Sequence, residues 1–161
     1  MAARFAKARG IAPQAAVGLA LVFGSWMAGA TDTTDPVAAI EARKEGFKNA
    51  LGPAMRTINN ELRSDAPNLT ALAEPAAVIA ARAPEIAGWF PPGSDASTGI
   101  ATKALPAVWS DRKEFDELAA QLVVDANALV AAIDGGDLET VKAQARTLGG
   151  NCAACHRKYR D

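Results

Sequence analysis

DLETVKAQARTLGGNCAACHRKYR, residues 137–160, places Leu138, Val141, Ala145, Leu148, Cys152, Cys155 and Tyr159 three or four residues apart. That spacing puts them on one face of a helix, with Asp137 at its start as the N-cap. Gly149-Gly150 is expected to loosen this helix one turn before the cysteines. Upstream, a third helix starting near Ser110 or Asp111, with Glu114 placed for a capping box, turns Phe115, Leu118, Leu122, Ala126, Leu129 and Ile133 inward. Gly135-Gly136 stops it.

Further outward, Asn68 is expected to cap a second helix with Leu69, Leu72, Ala76, Ile79, Ala83 and Ile86 inside, made irregular by Pro75 and Pro84. The first helix begins at Asp35 with Pro36 in its first position. It presents Val37, Ile40, Phe47, Leu51, Met55, Ile58 and Leu62 on one face, and Gly52-Pro53 predicts a kink. Between the second and third helices, Trp89–Pro106 is the one long loop. Half the residues are apolar, few are aromatic or β-branched, and no alternating strand pattern occurs. The fold class expected is therefore all-α: an antiparallel four-helix bundle with a long loop between helices 2 and 3.

The N-terminus reads differently. Arg4, Lys7 and Arg9 precede an apolar run from Ile11 to Phe23, and Ala28-Gly29-Ala30 offers a small-residue cleavage site. Residues 1–30 are expected to be a signal peptide for export to the periplasm, and residues 31–161 a single domain. Nothing later in the chain suggests a membrane span. Cleavage would leave 14 Lys and Arg against 18 Asp and Glu, a net charge of −4. Such a charge argues against nucleic acid or an anionic membrane as partner.

Cys152-Ala-Ala-Cys155-His156 is the Cys-x-x-Cys-His pattern of c-type haem attachment, and it uses the only two Cys and the only His in the chain. Residues i, i+3 and i+4 share a helix face, so two thiols can add to the two vinyl groups while the imidazole reaches the iron. One covalent haem c is the cofactor expected, with His156 as iron ligand. Structural zinc wants four ligands, and a thioredoxin-like pair wants a helix N-terminus in a βαβ setting. A simple disulfide leaves His156 unexplained. With one His, and with Met1 and Met27 in the leader, a sixth iron ligand would be Met55, a Lys, an external molecule or nothing. No nucleophile–base set or carboxylate pair points to an enzyme.

Together with Arg43 and Trp109-Ser110-Asp111, the stretch Cys152-Ala-Ala-Cys155-His156-Arg-Lys-Tyr159-Arg160 resembles the cytochrome c′ family, the class II c-type cytochromes. The resemblance covers essentially all of residues 31–161. It implies a four-helix bundle with Arg43 near a haem propionate, Phe47 above the iron and Arg160 near the proximal side. The family commonly has Leu where Phe47 stands, and low-spin relatives such as cytochrome c-556 have Met. An apolar Phe47 implies a five-coordinate, high-spin iron that binds NO and CO and takes part in electron transfer; the alternative is a six-coordinate carrier of the c-556 kind. The resemblance also implies a homodimer through the first two helices. It does not name the redox partner.

Overall fold

The computed structural model describes residues 35–161. The expected signal peptide, residues 1–30, lies outside the described residues. Asp35 caps α1 (Pro36–Lys44) by accepting from the Val37 N–H at 2.9 Å, with Pro36 in the first turn. A π turn (Glu45–Leu51) follows, and α2 (Gly52–Leu62) completes the first bundle helix. The second is α3 (Thr70–Arg82), which tightens into a 3₁₀ segment, Ala83–Trp89. A short α4 (Ala107–Ser110) precedes α5 (Arg112–Gly135) and α6 (Leu138–Tyr159). The architecture is the all-α four-helix bundle expected, its long connection lying between the second and third helices.

The core follows the predicted stripes closely: Ile58, Leu72, Ile79, Phe115, Leu129, Val141 and Leu148 are all buried. Asn68 caps the second helix through its Oδ1 and the Thr70 N–H at 3.0 Å, and Asp137 caps α6 through the Thr140 N–H at 2.9 Å. Several expectations need correction. Val37 is 48% exposed, because α1 rests on the 3₁₀ segment while α2 packs on α3 and α6. The kink at Gly52-Pro53 is realised as the π turn. Pro53 has no N–H to give, and its ring would crowd the carbonyl four residues back in an α-helix. The wider turn lets Gly52 N–H reach the Phe47 carbonyl, five residues back.

Glu114 forms no capping box with the start of α5. Asp111 and Glu114 both pair with Lys158 of α6, the Glu114 contact at 2.6 Å, so the carboxylates stitch two helices together. Nor do Gly149 and Gly150 loosen α6, which runs unbroken past both. By length and composition, α5 is apolar enough to cross a membrane. Its apolar stripe is used in the bundle core instead, with the buried Asp125 midway along it.

Candidate functional site

Cys152, Cys155 and His156 lie in the last two turns of α6, one face of which packs on the bundle. Both thiols are half-buried and free, and both pack against the apolar core. Burial raises the pKa of each, and for Cys152 the neighbouring Cys155 adds to the effect, so both remain protonated at neutral pH. The His156 pKa is lowered, first by desolvation and then by the charge of Arg160. A neutral imidazole with a free lone pair is the form that ligates a metal.

Asn151, next to Cys152, donates from Nδ2 to the buried Asp125 carboxylate at 3.1 Å, and Gln121 donates to the same group at 2.9 Å. The Asn151 Oδ1 is buried without a hydrogen-bond partner. Just beyond the helix, Arg160 forms an isolated bridge with Ala104 in the long loop, while its neighbours exchange the Leu105 N–H to Tyr159 carbonyl and Asp161 N–H to Lys103 carbonyl bonds, each 2.9 Å. The Arg160 side chain is exposed. The end of α6 is thereby tied to the loop through backbone rather than through that side chain.

Arg43 lies in the last turn of α1, and only 4% of it is exposed. Its guanidinium donates to Ser94 Oγ at 3.3 Å and Thr102 Oγ1 at 2.8 Å, and its Cζ lies 4.9 Å from the Phe90 ring centroid and 5.9 Å from that of Trp109. Desolvation lowers its pKa, partly offset by the charge of Asp95. Among the described residues, no carboxylate forms an ion pair with it. A buried cation with only hydroxyls and ring faces for partners is incompletely compensated.

Phe47 lies inside the π turn and is half-buried. Its ring meets Trp89 edge-on, with centroids 5.1 Å apart and planes at 80°, and lies 6.3 Å from Phe90. Phe90 continues to Phe115 at 5.0 Å, and Phe115 to Tyr159 at 5.3 Å. A chain of rings thus joins Phe47 on the first helix to the last turn of α6. Arg43 and Phe47 are brought together by their shared neighbour Phe90. Arg160 joins neither through its side chain.

Two glycines in this region carry information that helical periodicity did not extract. A Cβ on Gly46 would lie 2.1 Å from Trp89 Cη2, and one on Gly52 would lie 2.8 Å from the Phe47 carbonyl oxygen. Glycine inside a helix costs about 0.5–1 kcal/mol relative to alanine, and that penalty was the signal available in the sequence for a close approach.

The donor set can be tested against the cofactor. Among the described residues, no group of three or more His, Cys, Asp or Glu could hold a metal ion by itself. Two half-buried thiols beside one neutral imidazole suit a macrocycle that brings four equatorial nitrogens of its own. The incompletely compensated Arg43 suits an acidic substituent on that macrocycle. The residues fit a haem.

Comparison with known proteins agrees. The family model described as Cytochrome C′ matches residues 38–160. Cytochrome c′ of Pararhodospirillum photometricum is 33% identical over 127 residues, covering 78% of this chain and 98% of the relative. Cytochrome c-556 of Agrobacterium fabrum is 34% identical over 143 residues, covering 88% and 91%. The crystal structure of cytochrome c′ from Thermochromatium tepidum superposes with a TM-score of 0.72 at 31% identity, covering 78% of this chain and 95% of that one.

Proposed function

The chain belongs to the cytochrome c′ family, and on that premise we propose that it is an exported, periplasmic ligand binder whose iron keeps its sixth position open to NO and CO. Like its family, it carries one covalently bound haem c. In this reading Cys152 and Cys155 form the thioethers, His156 ligates the iron, Arg43 faces a propionate and Phe47 walls the ligand side. Arg160 contributes its charge near His156. Residues 1–30 direct export, and residues 31–161 form the working domain. Electron transfer accompanies ligand binding; catalytic turnover is not part of the proposal. A homodimer through the first two helices would cover Val37, the exposed apolar side chain at the start of α1.

The observation that carries the open position concerns Met55, the one thioether among the described residues. A Cβ on Gly149 would lie 3.5 Å from Met55 Cε, so the side chain rests on α6 seven residues, or about 10 Å of helix, before His156. It also borders a cavity of about 290 Å³ whose lining includes Leu62, Arg63, Lys142 and Arg146. Phe47, by contrast, lies in the π turn of the first helix, within the aromatic cluster. A wall without a hydrogen-bond donor disfavours bound O₂, which draws stability from a donor, more than it disfavours NO or CO.

The low-spin carrier remains the alternative because cytochrome c-556 is among the relatives. Optical and EPR spectra of the purified ferric protein distinguish the two. A high-spin signal, with a ferrous form that takes up CO, is expected. A low-spin ferric signal with a methionine-to-iron charge-transfer band would overturn the open-iron reading.

A further inference from the structure

We propose that Trp89 is a positioning residue for ligand selection: its indole, seated on the bare backbone at Gly46, holds the Phe47 ring in place and so sets the space in which a diatomic ligand meets the iron. This rests on the open-iron reading above and adds to it the residue that fixes the ligand-side wall.

Three observations converge on it. Trp89 is 5% exposed at the end of the 3₁₀ segment, so its indole is held by the bundle itself. Its six-membered ring fills the place where a side chain at position 46 would begin, with Cη2, Cζ2 and Cζ3 at 2.1, 2.5 and 2.7 Å from an ideal Cβ. From that seat it meets Phe47 edge-on at 5.1 Å, while Phe90 stands 6.3 Å away. A helical phenylalanine ordinarily chooses between two χ1 wells. Here the ring cannot swing through the indole without displacing a buried residue. Glycine at 46, tryptophan at 89 and phenylalanine at 47 therefore act as one unit: the first admits the second, and the second braces the third.

Two double-mutant cycles test this. In the haem-loaded protein, CO association after flash photolysis is measured for Trp89→Leu, Phe47→Ala and the pair. Each single substitution is expected to speed association on the order of tenfold, and in the Phe47→Ala background Trp89→Leu should add less than about twofold. Trp89→Phe, which keeps an aromatic edge, should restore most of the slow rate. In the haem-free protein, Gly46→Ala should lower the thermal midpoint by roughly 5–10 °C with Trp89 present, and leave it unchanged or higher in the Trp89→Leu background.

Equal effects of Trp89→Leu with and without the Phe47 ring would overturn the proposal, as would no effect on the rate while Phe47→Ala still speeds it. Should Trp89→Leu fail to yield folded haem protein, Gly46→Ala displaces the indole from the opposite side and must speed CO association likewise; an unchanged rate overturns the proposal. A six-coordinate ferric spectrum of the unmodified protein overturns the open-iron reading and this ligand role together. Additive rates in a five-coordinate protein overturn only the role of Trp89.

Discussion

α6 runs without a break from Leu138 to Tyr159, whereas the first bundle helix is interrupted by a π turn between Glu45 and Leu51. The regular helix carries the thiols and the imidazole, whose chemistry depends on the i, i+3, i+4 relation and would be lost if a turn changed pitch. The interrupted helix carries Arg43 on one side of the break and Phe47 within it, and neither residue needs a covalent geometry. Each depends on neighbours from elsewhere: Ser94, Thr102 and Phe90 for the first, Trp89 and Phe90 for the second. On the proposed assignment, attachment is thus local in sequence, and the residues proposed to surround the haem are assembled over long range.

The largest effect expected breaks the local half. Replacing Cys152 and Cys155 together by alanine should abolish haem staining of the denatured band while leaving the far-ultraviolet helical signal of the haem-free protein intact. Loss of that signal would mean the cysteines hold the helix rather than the cofactor.

An intermediate effect probes the long-range half. Arg43→Met removes a buried, incompletely compensated cation, so the haem-free protein should change in stability by less than about 1 kcal/mol or gain. The haem-loaded protein should lose about 1.5–3 kcal/mol, the contribution of a hydrogen bond to a charged group. Urea midpoints of the two forms check this, and an equal loss in both would make Arg43 purely structural.

The smallest effect lies where the two halves meet. Hydrogen bonding to Lys158 holds the Asp111 carboxyl below its usual range. A depressed carboxyl contributes stability above its unfolded pKa of about 4, and that contribution disappears as pH falls through the lower native value. Thermal midpoints measured from pH 6 down to pH 2 should therefore fall less steeply for Lys158→Gln than for the unmodified protein. Parallel curves would rule out the Lys158 stitch as their cause.

The same division explains what could be read in advance. The caps at Asp35, Asn68 and Asp137 and the stripes of α5 and α6 depend on residues close in sequence, and they were legible. Val37 was misplaced because the stripe assumed one helix with one pitch, and the π turn gave α1 and α2 different neighbours. Asp111 and Glu114 fitted a capping box, but Lys158, more than 40 residues away, offered a stronger charged partner. In the sequence Trp89 reads as the start of the long loop, whereas in the structure it closes the 3₁₀ segment from within the core. Its seat on Gly46 is visible only when both helices are in place.

The bond between Asn151 and Asp125 also bears on registry. It is a polar contact from the middle of α5 to the residue preceding Cys152, and it joins the Lys158–Glu114 ion pair in linking the two helices across their apolar stripes. Sliding α6 along α5 by one turn, about 5.4 Å, would leave the buried carboxylate with Gln121 alone, at a cost of about 1.5–3 kcal/mol for the lost hydrogen bond to a charged group. Apolar contacts alone tolerate such a slip far better than a carboxylate does. The Asn151 carboxamide, together with the Lys158 ion pair, thus indexes the height at which the Cys-x-x-Cys-His segment meets the rest of the bundle.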